Sequence, residues 1–91
     1  MITLHLPKDL AQQFKAANPL VMEPVTNLGE LIQAADVRHP GVGHWLTADD
    51  GRFRPHLAVF VDGERLPPNA RPEHPVRDGI DIWVLRAISG G

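Results

Sequence analysis

The chain has 91 residues, 43% of them hydrophobic and 22% charged, which fits one domain with one core and leaves no room for a second. Nine Lys and Arg against eleven Asp and Glu give a formal net charge of −2 with the signs interspersed, so neither the basic footprint of a nucleic-acid binder nor the polybasic patch of a membrane binder is present. There is no cysteine, which excludes disulfides, thiolate catalysis and cysteine zinc sites and favours a cytoplasmic protein.

Ile2, Leu4 and Leu6 alternate with Thr3 and His5 up to Pro7, the period-2 signature of a strand over residues 2–6 with one buried face. From Lys8 to Ala17 the apolar positions Leu10, Ala11, Phe14 and Ala17 have helical spacing. Asn18-Pro19 closes the segment so early that a helical turn and an ordered loop fit equally well. Residues 20–25 are extended and apolar, and Pro24, which has no ladder donor, suits an edge or a strand end returning antiparallel to the first strand.

The clearest helix opens at Asn27, a capping residue with Glu30 three positions on in capping-box spacing. Leu28, Leu31, Ile32 and Ala35 then recur at i, i+3, i+4 and i+7 as one apolar stripe, and the helix ends by Pro40. Residues 41–46 are expected to be a linking turn in which Trp45 and Leu46 cap the core. After the turn at Asp49-Asp50-Gly51, Phe53 to Val61 is predicted as a strand inside the sheet. Asp62-Gly63 before Glu64-Arg65-Leu66 is the strongest short-range hairpin signal. Pro67, Pro68, Pro72 and Pro75 make a loop without a ladder, and Asp78-Gly79 turns into a last strand from Ile80 to about Arg86.

This order predicts an α+β roll: a mixed four- to five-stranded sheet with one main helix packed on one face. The periods put Ile2, Leu4, Leu6, Leu28, Leu31, Ile32, Val59, Ile80, Ile82 and Val84 in the core. The longest apolar run, Leu57 to Val61, is far too short to span a bilayer, and Met1 to His5 carries no signal-peptide pattern.

Chemistry-bearing patterns are sparse. His5, His39, His44, His56 and His74 are not at i, i+4 on a helix, so no metal site is expected. Gly41-Val42-Gly43 lacks the third glycine and the preceding strand of a dinucleotide fingerprint and is turn chemistry instead. No nucleophile elbow, P-loop or carboxylate pair stands out, so an enzyme is not expected. The informative feature is the end, Ile88-Ser89-Gly90-Gly91, where the last strand runs straight into two glycines. At an average glycine content of about 7%, two in the last two positions arise by chance in roughly 0.5% of chains. A frayed end or a cloning remnant is the plain alternative, against which no other tag-like sequence is present.

Three stretches together resemble the MoaD/ThiS family of ubiquitin-like sulfur carriers: Arg54-Pro55-His56-Leu57-Ala58-Val59-Phe60-Val61-Asp62-Gly63-Glu64, the Asp-Gly turn into Ile80-Asp81-Ile82-Trp83-Val84-Leu85, and the hydrophobic-Ser-Gly-Gly terminus. The helix from Asn27 to Asp36 followed by Arg38-His39-Pro40-Gly41 resembles that family's helix and its end. The likeness covers most of residues 26–91 and is closest to the MoaD-like small subunit of molybdopterin synthase. Arg86 departs from it, standing where a proline is common.

The resemblance implies one β-grasp domain over residues 1–91 with a flexible tail at about 87–91. It also implies a MoeB/ThiF-like adenylating partner of the ubiquitin-activating type. That enzyme uses ATP and magnesium, while this chain binds no cofactor. Gly91 would become a thiocarboxylate, with Gly90, Ser89 and Ile88 giving access to it. The sulfur would pass to an acceptor such as the large subunit of molybdopterin synthase, with thiazole, cysteine and siderophore pathways equally open. A non-catalytic β-grasp interaction module and a ubiquitin-like protein modifier are the alternative functions.

Period 2 in the last strand puts Asp81, Trp83 and Leu85 opposite Ile80, Ile82 and Val84. Trp83 and Leu85, joined by Leu66 and Arg86, are therefore the expected partner-binding residues, unless loop residues fold over them.

Overall fold

The computed structural model describes residues 1–68 and 70–87. Strand β1 (Ile2–His5) buries Ile2 and Leu4 completely and turns Thr3 and His5 to the other side. Pro7 ends it and leads into helix α1 (Lys8–Gln13), which buries Leu10 and Ala11. The segment left open between helix and loop is thus a short helix, stopped where Lys15 takes a positive φ of 52°. Asn18 then substitutes for a strand at Leu6: its Oδ1 accepts from the Leu6 N–H at 2.9 Å and its Nδ2 donates to the Leu6 carbonyl at 3.0 Å. Strand β2 (Leu20–Met22) returns antiparallel to β1 with Ile2 opposite Met22, at the sheet edge that Pro24 implied.

Helix α2 (Leu28–Arg38) begins as expected, with Asn27 Oδ1 accepting from the Glu30 N–H at 2.8 Å. The Glu30 carboxylate, however, reaches one residue further back than a capping box. It accepts from the Thr26 N–H at 2.8 Å and the Thr26 hydroxyl at 2.6 Å, and these bonds hold its pKa below the usual value. The Pro-rich loop supplies the other partners of this helix end: the Leu28 N–H donates to the His74 carbonyl and the Gly29 N–H to the Pro72 carbonyl. That loop runs so close that a Cβ on Gly29 would lie 3.0 Å from the Pro72 Cβ.

Residues 41–46 are a helix rather than a turn. Gly41, at φ 102°, enters α3 (Val42–Leu46), and Asp36 Oδ1 caps it by accepting from the Gly41 and Gly43 N–H groups at 3.1 and 3.0 Å. Val42 and Leu46, four apart, are fully buried, whereas Trp45 points away and is 46% exposed, so only Leu46 caps the core.

Strand β3 (Leu57–Val61) is shorter than the predicted 53–61. Phe53 is buried but pairs only as an isolated bridge with Thr47, and a turn closed by the Leu57 N–H on the Arg54 carbonyl separates it from the strand, with Pro55 inside. Asp62 and Gly63 both have positive φ, 49° and 84°, which makes the two-residue hairpin turn into β4 (Glu64–Arg65). Strand β5 (Asp81–Arg86) lies at the centre of a five-stranded sheet of order β2-β1-β5-β3-β4, parallel to β1 and antiparallel to β3.

The arrangement is the expected β-grasp roll, with two short helices beside the main one. All ten residues expected in the core are buried, joined chiefly by Leu10, Leu20, Met22, Val42, Leu46 and Phe53. No helix among the described residues is long and apolar enough to cross a membrane.

Candidate docking face and C-terminal segment

Because the helices cover one side of the sheet, alternation decides what the other side shows. Along β5, Ile82 and Val84 are buried, while Trp83 and Leu85 are 41% and 40% exposed. Loop residues do not close over them. Strand register adds their neighbours. Trp83 stands between His5 of β1 and Phe60 of β3, and Phe60 faces Arg65 of β4. Ala58 is opposite Leu85, and the exposed Val21 is opposite Thr3 at the far edge. A row His5–Trp83–Phe60–Arg65 therefore crosses four strands, flanked by Leu85.

The row is organised by hydrogen bonds as well as packing. The His5 and Trp83 rings are parallel, with centroids 3.6 Å apart. Asp81 Oδ1 lies 2.8 Å from His5 Nε2, and Asp81 Oδ2 accepts from Trp83 Nε1 at 2.9 Å. On its backbone side Asp81 is tied to the hairpin turn: its N–H donates to Asp62 Oδ1 at 2.8 Å and its carbonyl accepts from the Asp62 N–H at 2.7 Å. Sequence reasoning placed His5 on this face without a role, because its contact with Trp83 depends on a parallel pairing between the two ends of the chain.

Two of the expected partner-binding residues, Leu66 and Arg86, do not lie on the Trp83 face. The Leu66 N–H donates to the carbonyl of Val59, and Leu66 packs against the core next to that buried residue, so hairpin register puts it on the helix side. It also lines a groove of about 550 Å³ over the Pro-rich loop, together with Arg52, Pro67, Pro68, Arg71 and His74. Arg86 has the parity of Ile82 and Val84. Its Nη2 and Nε donate to Asp9 Oδ2 at 2.7 and 3.0 Å, clamping the end of β5 to the first turn of α1. The hydrogen bonds from Arg86 hold the Asp9 carboxyl below its usual range, and Asp9 raises Arg86 in return. The position where a proline is common in the resembling family thus carries an ion pair.

Strand β5 ends at Arg86, and the Ala87 N–H beyond it donates to the His56 carbonyl at 2.8 Å. The expected access residues Ile88, Ser89 and Gly90 and the expected reactive Gly91 lie outside the described residues. Among the described residues no group of three or more His, Cys, Asp or Glu side chains could hold a metal. Trp83 and Leu85 thus lie exposed on β5, the strand that precedes residues 88–91.

Comparison with protein families matches the model described as "ThiS family" to residues 6–91. No curated protein sequence matches the chain. Among solved structures, a chain of the Amycolatopsis orientalis BexX/CysO complex superposes with a TM-score of 0.84 at 22% identity, each chain covered completely. Mycobacterium tuberculosis CysO, described as an antigen, gives 0.83 at 17% identity over 97% of this chain and 100% of its own. Small archaeal modifier protein 1 of Haloferax volcanii gives 0.69 at 19% identity over 96% and 97%. At these identities the structural likeness shows a shared fold.

Proposed function

The chain belongs to the ThiS family, and on that premise we propose that it is a sulfur carrier whose Gly91 carboxylate is the reactive group. The observation that carries the proposal is the reach of the family match, which runs to residue 91 and so includes Gly90 and Gly91. A carboxylate resists sulfur nucleophiles until one oxygen becomes a leaving group. In the proposed cycle a carboxylate oxygen attacks the α-phosphorus of ATP, bound with magnesium on an adenylating enzyme, and pyrophosphate leaves. A nucleophile at the oxidation level of sulfide then displaces AMP and leaves a thiocarboxylate, which delivers sulfur to the acceptor. Glycines without a Cβ suit a segment that must enter another protein's narrow site.

In this cycle the carrier needs no catalytic side chain. It needs a surface by which two enzymes hold it in turn, and in this reading the exposed Trp83–Leu85 face is that surface. Residues 88–91 reach at most about 14 Å beyond Ala87, so a partner seated on that face has its active site within that distance. In the MoaD-like form of this role the acceptor is the large subunit of molybdopterin synthase. A protein modifier would share the activation and differ in the last step, the acyl group passing to a lysine amine. The test is the chain extended by one alanine after Gly91, incubated with the adenylating enzyme, ATP, magnesium and a sulfur donor. The extended chain is expected to remain folded and unloaded, and loading at the parent's rate would refute the proposal.

A further inference from the structure

The Trp83 row contains a closed cluster of three side chains. His5 and Trp83 are register partners across the parallel β1–β5 pair, and their rings stack 3.6 Å apart at an interplanar angle of 4°. Asp81, two residues before Trp83 on the same face, gives one carboxylate oxygen to each ring. Asp81 is itself fixed by the two backbone bonds to the hairpin turn. The indole, which has only two side-chain torsions, is thus held by a ring on one face and an acceptor at its nitrogen.

Two features distinguish this from ordinary packing. Trp83 stays 41% exposed although its one polar atom already has its partner, so the surface it leaves open is apolar indole. His5, by contrast, has a side chain only 18% exposed. An imidazole and a carboxylate are therefore spent on orienting a ring that remains 41% exposed.

We infer that His5 and Asp81 are positioning residues for docking: they set the Trp83 ring before a partner arrives. The inference rests on the docking face proposed above and specifies its partner, which needs an apolar slot wide enough for an indole and no acceptor for the indole nitrogen. Setting a side chain in advance removes its ordering cost on association, a factor of roughly 2 to 12 in affinity.

The test uses the full chain with Trp45→Phe, which leaves Trp83 as its one tryptophan. Three quantities are read: the fluorescence anisotropy decay of Trp83, the melting temperature, and KM and kcat for loading by the adenylating enzyme that activates the parent. In His5→Ala and Asp81→Ala a fast anisotropy component is expected, with KM raised about 2- to 12-fold and kcat unchanged. His5→Phe keeps a ring to stack on and is expected near the parent in both. If Asp81→Ala does not fold, the two His5 variants carry the comparison. Folded variants with Trp83 as immobile as in the parent, or with the parent's KM, overturn the inference. Trp83→Ala separates the two levels. Its KM at the parent's value refutes the docking face and the positioning role with it, whereas a raised KM there beside unchanged His5→Ala and Asp81→Ala refutes positioning alone.

Discussion

Truncating Trp83 to alanine perturbs binding and folding by different amounts, and the structure sets both. A tryptophan exposes about 250 Å² when free, so 41% exposure leaves roughly 100 Å² for a partner to cover, worth about 2.5 kcal/mol at 25 cal/mol per Å². Complete burial on docking therefore predicts a Kd weakened roughly 60-fold. The fold loses the roughly 150 Å² of the side chain that it already buries, about 4 kcal/mol by the same bookkeeping, its stack on His5 and its hydrogen bond to Asp81 included. A domain of this length holds roughly 5–14 kcal/mol of stability, so the variant stays folded with a lower melting temperature. Calorimetric titration of the adenylating enzyme, run beside a thermal melt, measures the two effects separately. A folded variant whose Kd lies within about threefold of the parent would show that Trp83 serves the sheet and not the partner. A variant that does not fold would show that the buried part of Trp83 is worth more to the sheet than its area accounts for.

Core truncation should behave differently. Leu31 and Ile82 are fully buried, so Leu31→Ala or Ile82→Ala should each cost about 2–5 kcal/mol in urea unfolding, and a loss under about 1 kcal/mol would contradict their placement in the core. Asp9 has a lowered pKa, chiefly through its hydrogen bonds from Arg86, so its ionised form favours the fold. That contribution is fully present above the ordinary carboxylate value near pH 4 and is lost as pH falls through the lower folded value. Parent and Asp9→Asn should therefore differ in urea midpoint at pH 6 and converge as the pH falls through the lowered folded value. A difference constant with pH would mean that the Asp9–Arg86 pair is not its cause.

What the sequence disclosed was whatever a short window contains. The alternation of Ile2, Leu4 and Leu6, the stripe from Leu28 to Ala35 and the Asp62-Gly63 turn are local, and the strands, main helix and hairpin they imply are present. Helix α3 was hidden because two glycines mask the Val42–Leu46 spacing, and its cap comes from Asp36 in the preceding helix. Phe53 read as a strand residue because it opens the apolar stretch to Val61, but it pairs only as an isolated bridge with Thr47 and its N–H donates to the Ala70 carbonyl. On the candidate face, Trp83 and Leu85 could be read from period 2 alone. Leu66 could not, since its side depends on hairpin register, and neither could the His5–Asp81–Trp83 cluster or the Arg86–Asp9 pair, whose members come from opposite ends of the chain.

The central claim is that Gly91 carries sulfur, and intact-mass spectrometry tests it most directly. The full chain is incubated with its adenylating enzyme, ATP, magnesium and a sulfur donor, then weighed whole and after digestion. The expected product is heavier by the exchange of one oxygen for sulfur, with the whole difference confined to the peptide ending in Gly91. An unchanged mass while the enzyme consumes ATP on this chain, or sulfur found on any other peptide, would contradict it.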